Sequence, residues 1–143
     1  MASFNFFDQF FEDLANGVHD LIGTDHTLKV FLTNEAPTAA TDVVKADLTD
    51  LSTANGYTAG GEDTQNSGSE SSGVVTVTGT DITWTASGAV GPFRYAVLYN
   101  DTPTSPADPL IGWWDYASAV TLANGETFKV DFGASILTVQ AAA

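Results

Sequence analysis

Residues 93–100 read Phe-Arg-Tyr-Ala-Val-Leu-Tyr-Asn. Phe93, Tyr95, Val97 and Tyr99 alternate with Arg94, Ala96 and Leu98, which is the period-two pattern of a β-strand. Both faces are largely apolar or aromatic, so this strand is expected at the centre of a two-layer structure. Strand signals continue on either side. Downstream, a turn carrying Pro103, Pro106 and Pro109 leads into Leu110–Tyr116 (LIGWWDY). Val120–Leu122 and Glu126–Phe132 flank Asn124-Gly125, a strong hairpin signal, and Gly133 turns the chain into a last strand over Ser135–Gln140. Upstream, Val74–Thr78 and Asp81–Ala86 flank Gly79-Thr80, the residue pair of a type II′ hairpin, with Ile82, Trp84 and Ala86 on one face. Thr27–Thr33 (TLKVFLT) is the first strand.

Between Asn34 and Ser72 the composition shifts to Ala, Thr, Asp, Gly and Ser. Val43, Val44, Leu48, Leu51 and Tyr57 are spaced to pin parts of it to a core, with a short helix around Lys45–Leu51. Asn55-Gly56 and Gly60-Gly61 are turn signals. Glu62–Gly73 (EDTQNSGSESSG) reads as a mobile, solvated loop. Seven or eight short strands with turns every eight to twelve residues predict an all-β fold, a two-layer antiparallel β-sandwich of jelly-roll type.

The N-terminal segment has a different pattern. Five of the nine phenylalanines lie within the first eleven residues. Phe4, Phe7, Phe11, Leu14, Val18 and Leu21 follow a 3-4-3-4-3 spacing, a heptad seam that Phe6, Phe10 and Ile22 widen. Asp8, Glu12, Asp13 and Asp20 fall on the other side. The pattern predicts an amphipathic helix from Phe4 to Ile22, capped by Ser3 and ended by Gly23, with Gly17 a point where it kinks or stops. The domain organisation is then a helix over 1–24 and a β-sandwich over 25–143. Five buried phenylalanines would stabilise by about 10 kcal/mol gross, too much apolar surface to leave in water. Phe4, Phe7, Phe10, Phe11, Leu14 and Val18 are therefore the expected contact residues toward sister subunits or a partner, unless the helix covers its own sheet.

A chain of 143 residues suffices for one domain with a real core. It has no cysteine, hence no disulfide framework and no thiolate metal site. Its 18 acidic and 4 basic residues give a formal charge of −14. Lys29, Lys45, Arg94 and Lys129 are scattered, which argues against a nucleic-acid partner and against an anionic membrane. The opening residues lack a positive n-region, and no apolar run approaches the roughly 20 residues of a membrane span, so a soluble protein is expected.

Catalytic signals are weak. His19 and His26 have no neighbouring motif that would supply a third ligand or a nucleophile. Asp115, within Trp113-Trp114-Asp115-Tyr116, is the most suggestive carboxylate for glycoside chemistry, but spacing alone does not supply its partner. Trp113, Trp114 and Tyr116 form a candidate glycan or partner surface, set against the plainer reading that the two tryptophans point to opposite faces. The acidic loops Asp42–Asp50 and Asp101–Asp108 lack the ligand order of a calcium loop. No phosphate-binding loop is present, and no cofactor is expected. Arg94, a rare cation inside a strand, is expected to form an ion pair with a partner or with Asp115.

Several stretches resemble a family of small virion structural proteins of tailed bacteriophages and prophages. They are the Phe-rich opening, LKVFLTNEAPTAATDVVKADLTDLSTANGYTAGG (28–61), GPFRYAVLYNDT (91–102), LIGWWDY (110–116) and LANGETFKVDF (122–132). The NGYTAGG turn and the FRYAVLYND strand carry most of the likeness. It implies a capsid decoration, or cement, protein on the virion surface, assembled in the host cytoplasm. The partners would be the major capsid protein and sister copies in a homotrimer; a tail or neck component is the second possibility within virions. The resemblance brings no active-site residue with it. A carbohydrate-binding β-sandwich module is the alternative from a different class.

Overall fold

FRYAVLYN lies within β7 (Val90–Asn100), the central strand of a five-stranded antiparallel sheet. The computed structural model describes residues 2–142. The other elements are β1 (Phe4–Phe6), α1 (Asp8–Ala15), β2 (Leu28–Thr33), a 3₁₀ turn (Lys45–Asp47), β3 (Glu62–Asp63), β4 (Ser67–Ser71), β5 (Val74–Thr78), β6 (Ile82–Thr85), β8 (Leu110–Leu122), β9 (Thr127–Val130) and β10 (Leu137–Gln140). The strands form three antiparallel sheets, ordered β1-β8-β7-β2-β3, β10-β5-β4 and β6-β9.

Both faces of the central sheet are covered. On one, Val30 and Leu32 of β2, Leu98 of β7 and Ile111 of β8 join a core that also takes in Trp84 of β6, Val77 of β5, Leu137 of β10 and Phe10 of α1. On the other, Phe31, Tyr95, Val97, Tyr99 and Leu110 pack with Phe7 and Leu48. Alternation along β2 and β7 sends successive side chains to the two clusters. Phe93 departs from it: expected beside Tyr95 and Val97, it packs instead with Ala96 and Leu98. The cause is a bulge. Tyr95 faces Asp115 but Phe93 faces Val120, so β8 spends five residues where β7 spends two.

The 34–61 segment reaches both clusters, with Leu48 in the second and Tyr57 in the main core. Tyr57 donates its hydroxyl to Asp50 at 2.5 Å and accepts the Leu32 N–H at 3.0 Å. Asp50 also accepts the Gly60 N–H at 2.6 Å and pairs with Lys45 at 3.0 Å. Gly61 has φ +75, and a Cβ there would sit 1.8 Å from the Val30 carbonyl oxygen, so only glycine fits.

Several expectations are corrected. The helix does not run from Phe4 to Ile22. Phe4 and Phe6 lie in β1, opposite Trp114 and Gly112 of β8, because alternation suits them to a sheet edge as well as helical spacing does. The helix ends at Ala15 in a Schellman motif: Val18 N–H reaches Asp13 O at 2.9 Å, Gly17 N–H reaches Leu14 O at 3.2 Å, and Gly17 has φ +76. Gly17, not Gly23, is the terminator. Its start is not capped by Ser3; Phe7 holds that position without a side-chain cap.

Glu62–Gly73 is not a bare loop, since β3 and β4 lie in it and Ser72-Gly73, both at positive φ, closes the β4–β5 hairpin. Gly79-Thr80 closes no hairpin: β5 is flanked by β4 and β10, and β6 pairs with β9, which lets Ile82 and Trp84 enter the main core. Asn124-Gly125 does turn the chain, with Glu126 N–H on Ala123 O at 3.0 Å, but β8 and β9 belong to different sheets.

Candidate functional site

The expected contact residues of the N-terminal segment divide into buried and exposed sets. Phe7 and Phe10 have 0% exposure within the single chain, so neither offers a surface to a partner. Phe7 lies 4.6 Å from the Trp113 ring, and Phe10 stacks on Phe6 at 5.3 Å. Phe4, Leu14 and Val18 are half-buried. Phe11 is 51% exposed, its ring 5.2 Å from Phe6 and 5.3 Å from Phe10. Phe4 joins the row through Phe6 at 5.0 Å and leans on Trp114 at 4.8 Å. The result is a row of aromatic rings along the edge strand β1, sealed at one end by Trp114 and open at Phe11.

The proposed aromatic trio is split. Trp113 sits against the second cluster beside Phe7, whereas Trp114 joins the main core and contacts Phe132 at 5.7 Å. Adjacent residues of a strand face opposite ways. Trp114 and Tyr116, two residues apart, do share a groove of about 310 Å³ between β8 and β9. Phe128 and Lys129 of β9 complete it, and Arg94 closes one side. Sequence reasoning missed the β9 residues because nothing in their own pattern announces which strand they face.

Arg94 and Asp115 form a two-pronged ion pair at the groove, Nε to Oδ1 at 2.7 Å and Nη2 to Oδ2 at 2.9 Å. Ala117 N–H adds a third bond to Asp115 at 2.8 Å. The arginine foremost, then that N–H, holds the carboxyl below the usual range, and the carboxylate raises Arg94 in turn. Lys129 pairs with Asp81 at 3.1 Å. Asp81 is lowered first by the Phe132 N–H and then by Lys129.

His19 and His26 meet in a second place. Asn100 Nδ2 lies 3.1 Å from His19 Nδ1 and 2.9 Å from His26 Nδ1. His19 Nε2 and Asp13 Oδ2 are buried there with no protein partner. Beside them is a smaller depression of about 230 Å³ that Leu14, Ile22 and Val139 help to line. Among the described residues no group of three or more His, Cys, Asp or Glu side chains is arranged to hold a metal ion. No described helix is long and apolar enough to cross a membrane. Comparisons with protein-family models, curated proteins and solved structures found no match.

Proposed function

We propose that this chain is a bacteriophage capsid decoration (cement) protein, a two-layer jelly-roll-like β-sandwich that binds the outer surface of the major-capsid-protein shell as a homotrimer. The role needs no catalytic residue and no cofactor. The likeness of the quoted stretches to virion structural proteins supports the class. The observation that carries the mode of action is the exposed Phe11 ring, at the open end of the Phe4–Phe6–Phe11 row along β1. Burying an aromatic ring of this kind contributes roughly 1.5–3 kcal/mol. One such contact is weak, but three on a trimer engaging a shell together act as one strong attachment. The contact surface is thus Phe11, Phe6 and the outer edge of β1, in place of a helical seam.

The charge of −14 supports high solubility before assembly. The two sheet faces covered by separate clusters support the sandwich reading. Phe11→Asp tests the role by light scattering coupled to chromatography and by co-sedimentation with empty shells. Loss of trimer or of shell binding, with the β circular dichroism retained, is expected. Normal decoration by the variant would overturn the reading. Immunogold labelling of whole particles tests the tail or neck alternative: gold confined to the tail or neck would replace the shell with that location.

A further inference from the structure

We propose that the groove between β8 and β9 binds one pyranose unit of an uncharged saccharide, a role separate from the shell contact at Phe11. Four observations converge. The first is local strain next to an exposed ring. Ala117 has φ +74, a left-handed conformation that costs a non-glycine residue about 1 kcal/mol or more. It lies in the bulge where residues 116–119 of β8 have no one-to-one partner on β7. Bulges re-aim side chains, and this one presents Tyr116 with 54% exposure.

The second is a fixed aromatic wall. Phe128 stands 5.4 Å from Tyr116 and is pinned from behind by Phe93 at 4.8 Å and Trp84 at 6.4 Å. Trp114, 8% exposed, closes the floor. Rings held in this way give the C–H face of a sugar ring a preformed surface, with little order left to impose on binding.

The third is the hydrogen-bonding fork at the side. Arg94 spends Nε and one Nη2 hydrogen on Asp115, and its remaining N–H groups stay available as donors. Asp115 accepts two of its three bonds on Oδ1 and one on Oδ2, which leaves one lone pair on Oδ2 free to accept. Adjacent hydroxyls on a pyranose each donate and accept, so a fixed donor beside a fixed acceptor suits a vicinal pair. Held by three hydrogen bonds, the fork does not need to be ordered by the ligand.

The fourth is charge. Arg94 is neutralised by Asp115 and Lys129 by Asp81, so no spare cation faces the groove, and the chain as a whole is at −14. An anionic ligand would find no counter-charge and a repulsive field. The volume, about 310 Å³, lies at the small end of ligand sites, which matches a single sugar unit.

The full chain would be titrated with the methyl glycosides of glucose, galactose, mannose and N-acetylglucosamine, read by tryptophan fluorescence and amide chemical shifts. The expected result is saturable binding of at least one glycoside, with shifts confined to β8, β9 and the Arg94 end of β7. Tyr116→Ala and Arg94→Lys each weaken it about tenfold, Tyr116→Phe retains it, and thermal melts confirm folding. Phe11→Asp leaves the affinity unchanged, so failure of the shell contact and failure of the groove give different results. The proposal is overturned by no saturable response to any of the four glycosides. It is equally overturned by a response that survives both Tyr116→Ala and Arg94→Lys. A change of oligomeric mass in Tyr116→Ala without glycoside binding would assign the groove to a protein contact instead.

Discussion

Asn100 Nδ2 stands 3.1 Å from His19 Nδ1, while the oxygen of the same amide accepts the Thr102 N–H at 3.2 Å. That acceptance orients the amide, so its NH₂ side faces the ring and His19 Nδ1 must accept. The imidazole proton then sits on Nε2. A second proton on Nδ1 would confront a donor in a buried site. Burial foremost brings the His19 pKa down to about 4, with the Asp13 charge opposing and His26 adding to the shift.

The pH dependence follows from that depression. The folded value lies below the ordinary 6.5, so the unfolded chain takes up the proton first as pH falls. The contribution is complete above about pH 6.5 and is lost progressively toward pH 4, a change of about 2–3 kcal/mol. His19→Gln keeps an acceptor for Asn100 but cannot titrate. Urea denaturation near neutrality and near pH 4.5 should show the parent losing about 2 kcal/mol more than this variant. Equal losses would mean that His19 is not the sensor.

Phe10 and Phe11 are neighbours with opposite roles. Phe10→Ala empties a fully buried site and should cost about 3–5 kcal/mol in chemical denaturation. Phe11→Ala, at a ring that is half in solvent, should cost under about 1 kcal/mol while weakening association. A large stability loss from Phe11→Ala would place that ring in the fold rather than at a contact.

The Tyr57 hydroxyl bridges Leu32 N–H and Asp50. Burial, with the Asp50 carboxylate second, pushes the phenol well above its ordinary range, so it stays protonated and donating. Tyr57→Phe should cost about 1–3 kcal/mol by leaving the buried Leu32 N–H unpartnered. Urea unfolding checks it, and increased amide exchange at Leu32 is the specific sign.

Gly61 and Gly17 separate steric clash from backbone strain. Their φ angles are +75 and +76, but a Cβ at Gly17 meets nothing within 4 Å whereas one at Gly61 strikes the Val30 carbonyl. Gly17→Ala should cost about 1 kcal/mol. Gly61→Ala should cost well above about 2 kcal/mol, since the 34–61 segment must part from β2. Equilibrium unfolding of both variants gives the comparison directly.

Much of the strand content is legible in the sequence because it rests on local alternation. Val74–Thr78 is found as read, and FRYAVLYN, LIGWWDY and TFKV lie inside strands. Pairing was less legible. Gly79-Thr80 has the chemistry of a hairpin turn, yet β5 and β6 part into different sheets, with β6 paired to β9 and Ile82 and Trp84 in the main core. The N-terminal error has another cause: Phe4, Phe6, Phe7 and Phe10 fit helical and strand spacing together over so short a run, and only the distant β8 edge decides between them. In the site, Arg94 and Asp115 were readable as a pair by their chemistry. Phe128 and Lys129 were not, since their approach to Tyr116 depends on the β8 bulge.

The pairing of β1 with β8 also sets an order of events during synthesis. Asn5 and Trp113 lie 108 residues apart, so the edge that receives the Phe4–Phe11 stretch leaves the ribosome long after that stretch does. Its rings must stay uncovered until those 108 residues have been added, and closing so distant a contact is slow. The nascent chain therefore presents a sticky aromatic tag to any holding chaperone at the tunnel exit, and release of that tag can come only after β8 has been made.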